Sequence, residues 1–165
     1  MKLNLPNTIP VFPLSGVIFF PKTSLPLNIF EQRYLTLIND CIKSNKYMGM
    51  IQSKKNMSDV YSVGCLGKIT EYKKTKDGRL LVNLTGISRF EINTEINNDK
   101  IYREFEVSYE KFSGDLIEEK KETLMEEKIA DIFQKTKIFF KKNGLLLNWN
   151  EFEKLDQDQK INTLA

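Results

Sequence analysis

The 165-residue sequence contains no histidine, two cysteines and one tryptophan. Without histidine the chain lacks the usual general base and the imidazole ligand of many metal sites, which argues against Ser-His and Cys-His pairs and against metal hydrolases. Cys41 and Cys65 have no metal-ligand spacing and form no disulfide framework. We therefore expect two buried thiols in a reducing cytoplasm, no metal, no cofactor and no enzymatic activity.

Long apolar runs are also missing. The run from Val17 to Phe20 ends at Pro21, far short of the roughly 20 residues that cross a bilayer. Residues 1–4 lead into Pro6 without the apolar core of a signal peptide. The sequence predicts a cytoplasmic protein that does not insert into membranes.

A nucleotide-binding loop is resembled only faintly, by residues 64–69. The first glycine lies too few residues before the Gly-Lys pair of such a loop. Ile69 occupies the position at which a serine or threonine must coordinate magnesium. The 25 basic and 22 acidic residues are mixed along the chain, so charge alone does not require a nucleic-acid partner.

Hydrophobic residues make up 41% of the chain and charged residues 28%, which is typical of a globular protein. Between residues 9 and 112, short apolar runs alternate with turn residues, a pattern that predicts a β-rich domain. Asp77-Gly78 lies between strand-like segments 68–72 and 80–84 and predicts a hairpin with a tight primed turn. Alternating residues predict another strand over 102–112.

Helical spacing interrupts this region over residues 31–44 and dominates after residue 112. The segment 115–142 carries an apolar stripe that includes Ile132 and Phe133, which we expect to pack as core residues on the barrel or on the segment's own helical hairpin. Two short helical turns should follow, the second with a capping box from Asp156 to Gln159. We expect a β domain over 1–112 and a helical subdomain over 113–165, in a natural chain that continues beyond Ala165.

Several short motifs occur in an order that closely resembles the N-terminal substrate-binding domain of Lon proteases. The resemblance covers about two thirds of the chain, and Asn28 departs from it because many members carry histidine there. The motifs are Ile9–Leu14, Val17–Pro21, Leu25–Tyr34, Tyr47–Met50, Val63–Ile69, Asp77–Arg79 and Leu84–Phe90.

The resemblance implies an α+β fold: a PUA-like pseudo-barrel of mixed strands with one inserted helix, followed by a helical C-terminal part. It also implies a free-standing bacterial domain without the ATPase and peptidase modules of Lon. Within such a barrel, Gly64, Gly67 and Gly86 are expected at bulges or close backbone approaches. Glu31 is expected to pair with Arg89.

The leading functional hypothesis is a module that binds unfolded or client polypeptides, with a separate ATP-dependent protease as a further partner. The candidate contact residues are Phe19, Phe20, Met48, Met50 and Met57, because flexible apolar side chains adapt to varied partners. The alternative is that most of these side chains belong to the core.

A second hypothesis comes from PUA-like barrels that bind RNA. Tyr72, Lys73, Lys74 and Lys76 lie together at the predicted hairpin, where charge and stacking would hold a single strand.

Overall fold

The computed structural model describes residues 4–54, 59–117, 123–156, 159–160 and 163, with the backbone alone over 123–129. The chain divides into two compact units, Met1–Leu116 and Ile117–Ala165. The first unit contains a mixed sheet and one α-helix, and the described part of the second is helical.

A six-stranded sheet with the order β2-β5-β4-β3-β1-β6 forms the first unit. An additional pairing joins the end strand β6 back to β5, which lies next to the other end of the sheet. Strands β1 and β3 are parallel, and every other described pair is antiparallel. The strands are β1 Thr8–Leu14, β2 Ser24–Ile29, β3 Tyr47–Ser53, β4 Val60–Lys74, β5 Leu80–Ile96 and β6 Arg103–Ser108.

The two faces of this sheet bury different side chains, as strand alternation requires. One face forms the barrel cluster, which consists of Ile9, Val11, Ile51, Leu66, Phe90, Phe105 and Val107. The other forms the helix-covered cluster, in which Leu37, Ile38 and Cys41 of helix α1 (Gln32–Lys43) contact strand residues that include Phe12, Met48, Met50 and Cys65. The predicted helix over 31–44 is confirmed.

The predicted hairpin is confirmed, but its predicted turn is wrong. Gly78 has a φ of 88°, whereas Asp77 is not among the described non-glycine residues with positive φ. Hydrogen bonds run from the Gly78 N–H to the Thr75 carbonyl (3.1 Å) and from the Thr75 N–H to the Arg79 carbonyl (2.9 Å). This is a three-residue loop closed by a bulge, in which only the last loop residue needs the left-handed conformation.

The strand predicted over 102–112 is shorter than expected. Strand β6 ends at Ser108, and a 3-10 segment from Glu110 to Leu116 follows. Asp115 accepts a hydrogen bond from the backbone N–H of Arg89 and two from its side chain, which holds the 3-10 segment against β5. The alternation of apolar and polar residues in the sequence therefore extends beyond the residue at which tertiary contacts end the strand.

The second unit contains α2 (Thr123–Lys142) and α3 (Trp149–Lys154). Helix α2 begins later than the predicted Asp115, which belongs to the 3-10 segment. Phe133 packs edge-on against Phe152 of α3 with ring centroids 5.5 Å apart. Ile132 is 55% exposed, so its predicted core position is wrong.

Local backbone and side-chain features mark the helix ends in this unit. Gly144 has a φ of 66° just after α2, and the Asn148 side chain accepts from the Glu151 N–H at the start of α3. Asp156 and Gln159 form the reciprocal hydrogen bonds of a capping box, at 3.2 and 2.9 Å. No helix in the described part of the chain is long and apolar enough to span a membrane.

Candidate functional site

An apolar groove of about 350 Å³ opens on the first unit between strands β3 and β4 and the segment that connects β1 to β2. We call it the loop groove. Its wall is the segment Val17–Phe20, and its floor comes from Met50–Gln52 and Tyr61–Cys65, with Leu14 and Arg89 at the margins.

The floor of the loop groove continues the helix-covered cluster beyond the area that is fully buried. Met50, Cys65 and Arg89 lie side by side in one cross-strand row on β3, β4 and β5. Met50 and Cys65 belong to the cluster, whereas Val63 and Tyr61 follow at the strand period of two and are 41% and 51% exposed. Strand β4 therefore extends the apolar face of the core to positions that are exposed to solvent.

The wall of the groove is anchored by Phe19, which is buried, while Ile18 beside it is 65% exposed. Its end is fixed on β5, because the Lys22 N–H donates to the Gly86 carbonyl and the Gly86 N–H donates to the Thr23 carbonyl. A Cβ at Gly86 would lie 2.0 Å from the carbonyl oxygen of Phe20, so this close approach requires glycine. The close approach predicted at Gly86 is confirmed.

Arg89 provides the fixed charge at the margin of the groove. Its Nε and Nη2 donate to the two carboxylate oxygens of Asp115 at 3.0 and 2.7 Å, and its guanidinium lies 4.7 Å from the centroid of the Phe112 ring. Burial alone would raise the pKa of Asp115, but the hydrogen bonds and charge of Arg89 outweigh it and lower the pKa below its usual value. The Glu31–Arg89 pair predicted from the sequence is wrong, since Glu31 lies 3.3 Å from Arg33 instead.

The thiol at the floor of the groove is not activated. Burial raises the pKa of the Cys65 thiol to about 12, so the thiol stays protonated at neutral pH and is a poor nucleophile. Among the described residues, no group of three or more His, Cys, Asp or Glu side chains is arranged to hold a metal ion. The expected burial of both cysteines is confirmed.

The loop groove brings together three of the five residues proposed from the sequence for polypeptide contact. Phe19, Phe20 and Met50 line it, but Phe19 and Met50 are buried members of the helix-covered cluster, in agreement with the alternative that most of these side chains belong to the core. Met48 is fully buried in the helix-covered cluster and offers no surface to a partner, and Met57 lies outside the described residues.

Sequence reasoning missed the two exposed floor residues, Tyr61 and Val63. Their alternation with Cys65 is a signal for one strand face. Exposure, however, depends on where the neighbouring elements stop, and the local sequence does not contain that information.

The residues proposed for RNA binding do not all lie on one face of the hairpin, although Tyr72 and Lys73 both line a groove that Glu71 also lines. Lys73 pairs with exposed Leu81 and Lys74 with buried Leu80, so the two lysines point to opposite faces of β4. Glu71 lies on the Lys73 side of the strand, opposite Asn83. Tyr72 lies on the same side of the strand as Lys74, and Lys76 lies in the hairpin loop. The four candidate side chains are all exposed.

Comparison with known proteins gives a consistent family. Residues 8–165 match the family model described as the ATP-dependent protease La (LON) substrate-binding domain. The chain is 31% identical over 102 residues to a Lon protease of Desulfosudis oleivorans and 34% identical over 101 residues to one of Elusimicrobium minutum. These matches cover 58% and 57% of this chain and only 12% of each protease.

Solved structures agree with these matches. A Lon N-terminal domain protein from Xanthomonas campestris is 28% identical with a TM-score of 0.54, covering 62% of this chain and 59% of that one. The N-terminal domain of a Mycobacterium avium complex Lon protease shares the fold with a TM-score of 0.59 at 14% identity, covering 83% of this chain and 69% of that one. With a mixed sheet, an apolar groove and a family match over residues 8–165, the chain belongs to the LON substrate-binding domain family.

Proposed function

We propose that this chain is a non-catalytic module that binds unfolded or client polypeptides in the loop groove. The observation that carries the proposal is the exposure of Ile18, Tyr61 and Val63 beside side chains of the core. Exposed apolar side chains that lie together mark an interaction surface, because water contact with them is unfavourable. An unfolded polypeptide offers the apolar side chains that would cover them.

The architecture supports the proposal in two further ways. The additional β5–β6 pairing, which brings the end strand β6 back to β5, supports assigning the domain to the PUA-like pseudo-barrels. The family description names substrate binding, and the relatives named above are Lon proteases. We therefore propose that the bound polypeptide is passed in the cytoplasm to an ATP-dependent protease.

Binding of a labelled, permanently unfolded protein, measured by fluorescence anisotropy, tests the proposal. Ile18→Ser and Tyr61→Ser should each weaken binding about tenfold, because each removes apolar area from the contact. Leu81→Ser is the matched control: Leu81 is also exposed but lies on β5 and does not line the groove. Equal affinities for all three variants would contradict the assignment of the groove.

The salt dependence of binding separates polypeptide from RNA as the partner. Apolar contact should keep most of its affinity as salt rises, whereas RNA binding should fall steeply because each neutralised phosphate releases counterions. Tight RNA binding that is lost when Lys73, Lys74 and Lys76 are replaced together, with no affinity for unfolded protein, would favour the RNA hypothesis.

A further inference from the structure

The second unit contains a stretch that is rich in apolar and basic residues and has no acidic one. Residues 132–150 hold nine large apolar residues, four lysines and neither aspartate nor glutamate, although acidic and basic residues nearly balance over the whole chain. The stretch covers the second half of α2, the loop after it and the start of α3. The excess of positive charge is therefore local to this part of the unit.

The apolar side chains of this stretch fall into two groups. One group packs in edge-on aromatic pairs and includes Phe133, Phe140 and Trp149. Leu145 is tied to the end of α2, because its N–H donates to the Phe140 carbonyl at 2.9 Å, and Leu146 beside it is 98% exposed. Such side chains mark an interaction surface. The exposed group consists of Ile132, Ile138, Phe139, Leu145 and Leu146.

The lysines of the stretch also fall into two groups. Lys135 lies 2.6 Å from Asp131, and Lys137 lies 3.3 Å from Glu153, so both are neutralised. The pair Lys141-Lys142 in the last turn of α2 forms no ion pair with any described residue.

The acidic side chains that follow the stretch have partners of their own. Glu151 lies 2.8 Å from the Lys154 Nζ, and the Asp156 side chain accepts from the Gln159 N–H. The two charges of Lys141-Lys142 are therefore not paired with a described carboxylate.

These two lysines border the exposed apolar side chains. Lys142 follows Phe139 by three residues, which places both on one side of α2. Lys141 lines an open groove of about 420 Å³ together with Leu145, Leu146 and other residues of the loop. We call this surface the basic tip and define it by Phe139, Lys141, Lys142, Leu145 and Leu146.

We infer that the basic tip binds the surface of an anionic lipid bilayer. Phe139, Leu145 and Leu146 enter the boundary between headgroups and acyl chains, and Lys141 and Lys142 meet the lipid phosphates. Lysine suits this position because its aliphatic stem covers apolar surface while its ammonium group stays among the headgroups. The contact is peripheral and involves no spanning segment.

Charge argues against a second copy of the chain as the occupant of this surface. A symmetric pair that used the basic tip of both chains would bring their lysines together, and like charges that face each other are unfavourable. The inference goes beyond the proposed function, because it concerns another surface and does not use the loop groove.

Co-sedimentation of the intact chain with lipid vesicles tests the inference. Vesicles of phosphatidylcholine alone are compared with vesicles in which about a third of the lipid is phosphatidylglycerol. At low salt the chain should bind the anionic vesicles at least about tenfold more tightly, because each lysine near an anionic surface adds to the attraction. The preference should shrink at about 0.5 M salt, where the screening length is only a few ångströms.

Two surface variants locate the contact. Leu146→Ser should weaken binding to the anionic vesicles about tenfold, because it removes apolar area from the interface. The double variant Lys141→Gln with Lys142→Gln should remove most of the preference for anionic lipid. All three positions are exposed, so circular dichroism should show an unchanged fold.

The matched controls change the same residue types in the first unit. Leu81→Ser removes an exposed leucine, and Lys43→Gln with Lys46→Gln removes two exposed lysines. Both controls should bind vesicles like the unmodified chain.

Trp149 reports the contact directly, because it is the only tryptophan and lines the same groove as Lys141 and Leu146. Its emission should move to shorter wavelength when anionic vesicles are added. The Leu146→Ser variant should need about tenfold more lipid for the same change.

The other results would overturn the inference. These are equal binding to both kinds of vesicle, binding to neither, and anionic binding that Leu146→Ser and the double lysine variant leave unchanged. A dimer that Leu146→Ser dissociates, without binding to vesicles, would assign the basic tip to a second copy. None of these results alters the expected binding of unfolded protein in the loop groove, so the two proposals fail separately.

Discussion

Arg89 joins the 3-10 segment to the sheet and also borders the loop groove. Its backbone N–H, Nε and Nη2 all donate to Asp115, 26 residues further along the chain. The sequence predicted a tertiary partner for Arg89 but chose Glu31, because either carboxylate satisfies the charge and only the folded backbone decides which is near. Gly86, in contrast, was predicted correctly, since the need for glycine at a close approach is a property of the residue itself.

The Asp115–Arg89 pair should make the free energy of unfolding depend on pH in the acidic range. The pKa of Asp115 is lowered in the folded protein, so its contribution is fully present above the unfolded value of about 4 and is lost as the pH falls through the folded value. Asp115→Asn should therefore lower the free energy of unfolding at pH 7 and have a smaller effect near pH 3. Urea unfolding followed by circular dichroism at both pH values measures this.

Asp99→Asn is the control for that experiment, because Asp99 is exposed in the connection between β5 and β6. Its effect should stay small at both pH values. An Asp115→Asn effect of the same size at pH 7 and pH 3 would show that the loss comes from altered packing and not from the charge.

At the scale of elements, helix α2 shows where a periodic pattern stops being informative. Its apolar stripe is wider than the surface that α3 covers: Phe133 and Phe140 contact α3, whereas Ile132 and Phe139 remain exposed. Spacing identifies the helix and its apolar side, but the covered half depends on where α3 packs. By the same reasoning, α1 and the hairpin were predictable because their signals are local.

Replacing Phe133 and Ile132 separately distinguishes the two halves of that stripe. Phe133→Ala should cost about 1–3 kcal/mol, less than a fully buried phenylalanine, because the ring loses its contact with Phe152. Ile132→Ala should change stability by no more than about 0.5 kcal/mol. The single tryptophan, Trp149, has its ring centroid 5.4 Å from that of Phe152, so its fluorescence reports unfolding of this unit directly. Equal losses in the two variants would contradict the packing described here.

Strand β2 shows how the sheet protects one of its open edges. It lies at the end of the strand order and pairs with β5, whereas β6 at the other end also pairs with β5. Pro26 in the middle of β2 has no backbone N–H to offer to a further strand. This edge is therefore unsuited to continuous strand addition.

At the scale of the molecule, the family match concerns a domain for substrate binding, and the chain spans about an eighth of the Lon proteases named above. The order of motifs identified this family from the sequence alone, and the motifs lie on the strands, the turns and the start of the helix in the first unit. The position of the groove could not be predicted in the same way. It arises where β4 extends past the helix-covered cluster, which is a relation between elements.

The purified chain should hydrolyse neither ATP nor casein. It has no histidine, and residues 64–69 lack the serine or threonine of a nucleotide loop. Phosphate release and casein cleavage assays measure this, with a Lon protease as the positive control. Hydrolysis that disappears after a single substitution in this chain would contradict the prediction.

The shared floor of the groove has a thermodynamic consequence. Because Met50 and Cys65 line the groove and also belong to the buried cluster under α1, a polypeptide held there contacts part of the folding core. Ligand binding to the native state stabilises it by mass action, so occupancy of the groove and global stability are linked. A client would thus act as a stabiliser of the domain that binds it, and natural variation at Met50 or Cys65 would alter affinity and melting temperature together. Variation at Ile18 or Tyr61 would alter affinity alone.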